Sequence, residues 1–304
     1  MKEVGRIMGN LIVITRANFL PLTVVIVLSG LSAAYYAHAV FNALNAILVL
    51  TGALLTHASV NTFNNYFDYR SRIDERTVKT PFSGGVDVIV SGRMKPSTAL
   101  SVALACLVGA GLIGIYFLTQ MFYLLIPLIL YGAFIIVFYT PLISRVHALS
   151  EIIAGSGFGL MGLGTYATQT GLLDRTGVAI FVPISILVAL LLFLNEFPDA
   201  EVDKLAGRHH TVILVGRRKS SWLYAFFLSA TYVSIILSVV AGAAPLTTLI
   251  ALVTSPLAYK AARIVLRSYA HTTNLLPALG LNVIVILSTI SLLAAGFIIG
   301  KFFP

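Results

Sequence analysis

Apolar runs long enough to cross a bilayer make up most of this 304-residue chain. A membrane-spanning helix needs about 20 predominantly apolar residues, and the sequence is 58% hydrophobic but only 10% charged. Nine runs have that character, at residues 18–37, 42–67, 98–118, 121–139, 148–168, 178–198, 221–241, 244–262 and 276–299. The weakest break between runs is Thr119-Gln120. The sequence therefore predicts an all-α membrane protein with nine transmembrane helices in a single bundle, and residues 1–304 as one integral-membrane domain.

The basic residues fall on one side of these predicted helices. With nine spans, every Lys and Arg except Arg175 and Lys301 lies on the same face. Cytoplasmic segments carry an excess of Lys and Arg, so we expect the N-terminus on the cytoplasmic side of the cell membrane. The net charge of +9 then reflects orientation. We expect membrane lipid around the protein and no nucleic acid partner.

Two acidic stretches, each at the end of an apolar run, concentrate the negative charge of the chain. Residues 64–74 read N-N-Y-F-D-Y-R-S-R-I-D, and residues 195–203 read N-E-F-P-D-A-E-V-D. Eight of the 11 carboxylates lie in these stretches or just after them: Asp68, Asp74, Glu75, Asp87, Glu196, Asp199, Glu201 and Asp203. Carboxylates near a bilayer are costly unless they are paired or hold cations. The clustering therefore predicts a functional site on the cytoplasmic side.

Both stretches place oxygen ligands on one face of a helix. Residues four apart share a face, which pairs Asn64 with Asp68 and Asp199 with Asp203. Mg²⁺ prefers such oxygen ligands and binds through one or two carboxylates plus substrate phosphates. Two clusters that face each other could hold two ions on a diphosphate. The alternative is that the aspartates only pair with neighbouring Arg and Lys in a solvated loop.

The spacing of Asp68 and Asp74 constrains the end of the first acidic helix. Six residues along a continuous helix leave two side chains roughly 120° apart. Both carboxylates can reach one site only if the helix ends near Tyr69–Arg72.

Basic residues interleave with the acids, namely Arg72, Arg76, Lys79, Lys204 and Arg208. An anionic substrate explains the mixture, because cations and metals together neutralise phosphate oxygens. Each basic residue taken alone is also explained as part of an ordinary positively charged cytoplasmic loop.

Two other motifs favour structural interpretations. Residues 157–162 read G-F-G-L-M-G, but this G-x-G-x-x-G lies inside an apolar run with no preceding strand, so a dinucleotide site is not expected. Gly155, Gly159 and Gly162 instead favour close helix packing. His209 and His210 lack the spacing of a zinc site, and we interpret them as polar loop residues.

The paired motifs resemble those of the UbiA superfamily of intramembrane prenyltransferases. The resemblance rests on N-x-x-x-D with a second Asp, followed about 130 residues later by D-x-x-x-D, and it covers nearly the whole chain. Residues 139–141 (Y-T-P) with Arg145, and Asp203 with Gly207 and Arg208, also look like family elements. The stretch 79–85, K-T-P-F-S-G-G, is more similar to the 1,4-dihydroxy-2-naphthoate prenyltransferase branch. The first motif departs from the family pattern, because Arg72 stands four residues after Asp68.

The resemblance implies Mg²⁺-dependent transfer of an isoprenoid chain from a prenyl diphosphate to an aromatic acceptor, best matched by 1,4-dihydroxy-2-naphthoate in menaquinone biosynthesis. It implies two Mg²⁺ ions and a central cavity open to the cytoplasmic side and to lipid. The implied catalytic residues are Asp68, Asp74, Asp199 and Asp203, and the implied metal ligands are these four with Asn64. The implied substrate-binding residues are Arg16, Asn64, Arg72, Lys79, Tyr139, Arg145, Asn195, Lys204 and Arg208.

Other functions stay open at this point. Within the superfamily, 4-hydroxybenzoate or geranylgeranylglyceryl phosphate are alternative acceptors. A transporter could use the same carboxylates. Transport sites usually lie near the membrane midplane, however, whereas these acids cluster on one predicted face.

Overall fold

The computed structural model describes residues 2–73, 85–146 and 149–303. They form ten α-helices: α1 (Lys2–Ile14), α2 (Pro21–His38), α3 (Ala43–Arg70), α4 (Pro96–Phe138), α5 (Leu149–Thr170), α6 (Arg175–Leu205), α7 (Thr211–Val215), α8 (Arg217–Val240), α9 (Ser255–Ser268) and α10 (Thr272–Phe302). Short 3-10 helices lie at Ala17–Phe19, Ile143–Arg145 and Leu246–Thr254. No strand occurs within these residues, which confirms the prediction of an all-α protein.

Seven stretches of the described residues are helical, long and apolar enough to cross a membrane. They are Ala17–His38, Ala43–Arg70, Pro96–Phe138, Arg175–Leu205, Arg217–Val240, Leu246–Ser268 and Thr272–Phe302. The protein is therefore an integral membrane protein built from helices. α5 corresponds to the predicted run 148–168 and is 22 residues long, but it is not among these seven stretches.

α4 contains two of the predicted runs, 98–118 and 121–139, and breaks at Met121 (φ −143°, ψ 52°). The chain turns back at this break, because a Cβ atom on Gly114 would stand 3.4 Å from Cδ1 of Ile129. Along a straight helix, at 1.5 Å per residue, these two positions would be about 22 Å apart. The reversal lies next to the predicted break at Thr119-Gln120.

α6 is the central helix and packs against α2, α5, α8 and α10. Its side chains Ile180, Ile184 and Leu194 are fully buried in the largest apolar cluster of the protein. A helix that is apolar on all sides belongs in the interior. Because the second acidic stretch forms the last turns of α6, this packing fixes the position of Asp203.

Small residues allow α5 to approach α6 closely. A Cβ atom on Gly155 would overlap the carbonyl oxygen of Ser185, and one on Gly159 would stand 2.9 Å from the carbonyl oxygen of Phe181. Such close contacts between helices require residues without side chains. The predicted role of these glycines in helix packing is confirmed.

α3 ends at Arg70, and Arg72 has a left-handed backbone conformation with φ 57°. A positive φ is uncommon for a residue other than glycine and cannot continue an α-helix. The predicted end of the helix near Tyr69–Arg72 is confirmed. Asp74 and Lys79 fall in the segment 74–84, outside the described residues.

Candidate active site

Asp68 and Asp203, one from each acidic stretch, meet on the guanidinium group of Arg208. Nη1 of Arg208 donates to Oδ1 of Asp203 at 3.0 Å, and Nη2 donates to Oδ1 of Asp68. Both aspartates are buried. Burial alone would lower the pKa of Arg208, but the charges of Asp68 and Asp203 outweigh it, so the pKa is raised. Two stretches far apart in sequence therefore share one cation.

A tight turn after α6 brings Arg208 to this position. Gly207 has φ 77°, a left-handed conformation that glycine adopts without steric cost. The backbone N–H of Arg208 then donates to the carbonyl oxygen of Asp203 at 3.0 Å. The sequence D-x-x-x-G-R at residues 203–208 thus encodes the local geometry of the ion pair.

His210 lies behind this ion pair, between Asp203 and Glu196. Its Nε2 is 3.3 Å from Oδ2 of Asp203, and its Nδ1 is 3.4 Å from Oε2 of Glu196. All three side chains are buried, and neither ring nitrogen of His210 has a hydrogen bond of good geometry. The interpretation of His210 as an ordinary loop residue is wrong, because the turn after α6 carries it into the interior.

Glu151, at the start of α5, is a buried carboxylate that the motif analysis did not single out. Its Oε1 accepts from the backbone N–H of Thr211 at 2.9 Å, and its Oε2 accepts from the hydroxyl of Ser150 at 2.7 Å. The bond from Thr211 ties α5 to the start of α7, directly after His210. An acidic residue within an apolar run is a signal that could have identified it.

Asparagine side chains on α3 hold the segment that follows α1. Nη2 of Arg16 donates to Oδ1 of Asn65 at 3.1 Å, and Nδ2 of Asn65 donates to the carbonyl oxygen of Ile14 at 3.0 Å. Asn64 directly precedes Asn65 and points from a different face of α3, where its Nδ2 donates to the hydroxyl of Thr140 at 3.2 Å. Asn65 therefore orients Arg16, whereas Asn64 connects α3 to the segment after α4.

A central cavity of about 240 Å³ opens beside these residues. Its polar lining includes Arg16, His57, Asn64, Tyr139 and Asn195, and the rest of its wall is mostly apolar. Burial, followed by the carboxylates of Glu196 and Glu151, raises the pKa of Tyr139 well above its ordinary value. The phenol therefore stays neutral at the polar end of the cavity.

A second cavity, also of about 240 Å³, continues from the first. The two share a wall formed by Thr56, Gly132, Ile136, Gly157 and Met161. The second cavity runs between α3, α4 and α5 and is lined mainly by apolar side chains. Together they form an apolar passage that leads away from the polar end.

The structure brings together only part of the predicted site. Arg145 is exposed and, with Asp68 and Arg208, lines a third cavity of about 230 Å³. Asp199 is half-buried, and its negative charge adds to those of Asp68 and Asp203 in raising the pKa of Arg208. Arg72 and Lys204 are exposed. Within residues 2–73, 85–146 and 149–303, no group of three or more His, Cys, Asp or Glu side chains is arranged to hold a metal ion. Asp68 and Asp203 are buried, and both of their carboxylates accept hydrogen bonds from the guanidinium of Arg208.

The sequence matches known proteins over most of its length. The pattern of the UbiA prenyltransferase family matches residues 23–276. The 1,4-dihydroxy-2-naphthoate octaprenyltransferase of Bacillus subtilis (strain 168) is 30% identical over 246 residues, which cover 80% of this chain and 76% of that protein. The enzyme of the same name from Haemophilus influenzae is 26% identical, over 81% of this chain and 82% of that protein.

The fold also matches that of solved structures. A UbiA homolog from Aeropyrum pernix K1 superposes with a TM-score of 0.68 at 18% sequence identity, covering 93% of this chain and 98% of that one. A UbiA homolog from Archaeoglobus fulgidus bound to DMAPP and Mg²⁺ gives a TM-score of 0.64 at 14% identity, covering 93% of this chain and 99% of that one. With the family pattern and the relatives, these likenesses agree with the resemblance seen in the paired motifs. The chain belongs to the UbiA prenyltransferase family, and it is a prenyltransferase.

Proposed function

We propose that this protein transfers an isoprenoid chain from a prenyl diphosphate to 1,4-dihydroxy-2-naphthoate, a step of menaquinone biosynthesis. The observation that carries the proposal is the meeting of Asp68 and Asp203 on one cation, one helical turn along α3 from Asn64, which lines the polar end of a passage with apolar walls. That arrangement suits a substrate with a charged head and a long apolar tail. The names of the Bacillus subtilis and Haemophilus influenzae relatives support the choice of acceptor.

The donor atoms of the site fit Mg²⁺. Hard divalent cations prefer carboxylate and amide oxygens, and Asp68 and Asp203 already share one positive group. We propose that these two aspartates, with Asn64, Asp74 and Asp199, hold two Mg²⁺ ions. When bound, Mg²⁺ neutralises the diphosphate and stabilises the charge that its leaving oxygen acquires.

The basic and amide side chains around the polar end would bind and orient the diphosphate. Arg16, Asn64 and Asn195 line the central cavity, and Arg145 lines the third. We include Arg72, Lys79, Lys204 and Arg208 in this role, because charge-assisted bonds from Arg and Lys are strong ligands of phosphate oxygens.

The apolar walls would protect the reactive intermediate. The allylic C–O bond breaks with its electron pair going to the diphosphate oxygen, which leaves an allylic cation. A cavity without water prevents its capture by solvent, and the ring face of Tyr139 can stabilise its positive charge. A carbon of the electron-rich acceptor ring then forms the new C–C bond, and the ring recovers its aromaticity by losing the carboxyl group as CO₂ or a proton.

We further propose nine membrane spans, with the N-terminus and the acidic site on the cytoplasmic side and the central cavity open to that side and to lipid. The reversal at Met121 supports counting α4 as two spans. The length of α5 supports counting it as another. The distribution of Lys and Arg supports the orientation.

The acceptor is tested with purified protein, Mg²⁺, radiolabelled geranylgeranyl diphosphate and a panel of acceptors. We expect 1,4-dihydroxy-2-naphthoate to give a decarboxylated prenyl naphthoquinol that extracts into solvent. If 4-hydroxybenzoate or geranylgeranylglyceryl phosphate gave product and the naphthoate gave none, the compound that reacted would be the acceptor instead of the naphthoate. If the protein moved the diphosphate across vesicle membranes and formed no prenylated product, the result would favour a transporter over an enzyme.

His210→Ala is expected to lower turnover by about 10- to 100-fold, the usual effect of removing a group that orients a ligand of a metal. The reason is that Asp203 and Glu196 both lose the ring that lies between them. Turnover is measured across a range of Mg²⁺ concentrations, and half-saturation is expected to shift upward. His209→Ala is the matched control, because His209 is adjacent and exposed. Equal activity of the two variants would show that His210 does not position Asp203.

A further inference from the structure

A polar cavity of about 470 Å³ lies at the end of the bundle opposite the acidic site. Three membrane-spanning stretches begin or end there: Ala17–His38, Arg175–Leu205 and Thr272–Phe302. Along α6, at 1.5 Å per residue, roughly 42 Å separates Arg175 from Asp203. This exceeds the hydrocarbon thickness of a bilayer, about 30 Å. The cavity therefore lies near the other surface of the membrane, where lipid headgroups are found.

Two positively charged side chains line this cavity, Arg175 and Lys301. They are the two basic residues that the charge pattern of the sequence assigns to this side. Nζ of Lys301 donates to the carbonyl oxygen of Tyr36 at 3.2 Å and stands 5.7 Å from the centroid of the Tyr35 ring. Among the described residues, neither Arg175 nor Lys301 has a carboxylate oxygen within the 4.0 Å limit of an ion pair.

Asp174, the carboxylate that lines the cavity among the described residues, already has partners. Its Oδ2 accepts from the hydroxyl of Tyr166 at 2.7 Å and lies 3.0 Å from Nε2 of His38. Its Oδ1 accepts from the backbone N–H groups of Thr176 at 2.9 Å and Gly177 at 3.2 Å. Burial would raise the pKa of Asp174, but the bonds from Tyr166 and His38 and from the two backbone groups outweigh it and lower that pKa.

The cavity therefore presents more positive than negative charge. Asp174 caps the start of α6, so the backbone N–H groups of Thr176 and Gly177 already have an acceptor. The positive charges available to a ligand are therefore those of Arg175 and Lys301. The guanidinium of Arg175 lies beside Gly242, with Nη1 3.7 Å from where a Cβ atom would stand. Arg175 and Lys301 thus line one cavity from the start of α6 and the end of α10.

Aromatic side chains place the cavity at the depth of lipid headgroups. The rings of Tyr35 and Phe302 are 6.4 Å apart, and those of Tyr36 and Phe297 are 5.7 Å apart. Tyr and Trp are enriched where a membrane meets water, and Tyr36 lines the cavity with Tyr35 next to it in the chain. We propose that this cavity binds a phosphate group through Arg175 and Lys301, with the headgroup of a membrane phospholipid as its source.

The proposal is tested by titrating the purified protein, in a neutral detergent, with dioctanoyl phosphatidylglycerol and following binding by calorimetry. Dioctanoylglycerol, which has the same chains but no phosphate, and inorganic phosphate are titrated in parallel. The double variant R175Q/K301Q is expected to bind the phospholipid at least about tenfold more weakly, since charge-assisted bonds to phosphate are lost. The variant R175K/K301R keeps both charges and is expected to retain most of the binding.

K260Q/R263Q is the matched control, because it also removes one Lys and one Arg, both exposed and both on α9. It is expected to bind the phospholipid like the unmodified protein. All variants are expected to keep prenyl transfer activity, which reports that they are folded.

If inorganic phosphate bound the unmodified protein but not R175Q/K301Q, the site would be assigned to the free anion rather than to a lipid. Two results would overturn the proposal. One is equal binding of the phospholipid to R175Q/K301Q and K260Q/R263Q, and the other is equal binding of dioctanoylglycerol and dioctanoyl phosphatidylglycerol.

Discussion

Asp68→Asn is expected to lower the turnover of prenyl diphosphate by on the order of 10²-fold or more, the usual loss when a group that stabilises developing charge is removed. The substitution keeps the size of the side chain but removes the charge that Asp68 contributes beside Arg208 and Asp203. We expect the same loss for Asp203→Asn. Turnover is measured at saturating and at limiting Mg²⁺, and a thermal melt checks that each variant is folded.

Glu201→Gln is the matched control for Asp203→Asn. Glu201 lies on the same helix, but its side chain is 80% exposed, and its nearest basic partner, Arg217, is 3.9 Å away. Removing this charge is expected to leave turnover within about twofold, because exposed ion pairs contribute little. Near-normal activity of Asp68→Asn at limiting Mg²⁺ would exclude Asp68 from the metal site.

Much of the fold was predictable because a bilayer imposes length and composition on each spanning helix. The apolar runs correspond to helices, and even the reversal at Met121 lies next to the predicted break at Thr119-Gln120. Less predictable was the region 244–262, expected as one helix, which forms a 3-10 helix at Leu246–Thr254 followed by α9. Pro256 lies in the first turn of α9, where its missing N–H is tolerated, and this favours a new helix start.

α1 was not predicted as a helix. Residues Lys2–Ile14 carry charges among their apolar side chains and form a helix with one apolar face. Such a helix has no continuous apolar run of spanning length, because its apolar residues recur with period 3.6 among charged ones.

The part of the site that depends on local spacing was predictable, and the part that depends on long-range contacts was not. Asp68, Asp203 and Arg208 lie in recognisable motifs. The contacts of His210 with Glu196 and of Glu151 with Thr211 join distant segments, and no periodicity in the sequence signals them. The turn after α6 brings His210 back against Glu196, and the start of α5 lies where Glu151 reaches the backbone of Thr211.

Gly132→Phe is expected to change which prenyl diphosphates the enzyme accepts. Gly132 lies where the two apolar cavities join, and no heavy atom stands within 4 Å of a Cβ atom built on it. A Phe side chain there would fill the passage without displacing the backbone. The short tail of dimethylallyl diphosphate still fits in the first cavity, whereas the longer tail of geranylgeranyl diphosphate no longer reaches the second.

The expected size of this effect follows from the apolar area that the tail can no longer bury. Burial of one CH₂ group contributes about 0.8 kcal/mol, so a five-carbon isoprenoid unit kept out of the cavity loses about 4 kcal/mol by the same measure. The ratio kcat/KM for geranylgeranyl diphosphate is therefore expected to fall on the order of 10³-fold. Radiolabelled product from each donor, with the acceptor saturating, gives both values.

Gly164→Phe provides a graded comparison, because Gly164 also faces open space and lines the second cavity but not the first. On α5 it lies about 10 Å beyond Gly157, at two helical turns, and Gly157 is part of the shared wall. Gly164→Phe should therefore accept tails of intermediate length, such as that of geranyl diphosphate, which Gly132→Phe excludes. If both variants used all donors equally well, the tail would not occupy this passage, and its binding path would have to lie along the lipid-facing surface of the helices instead.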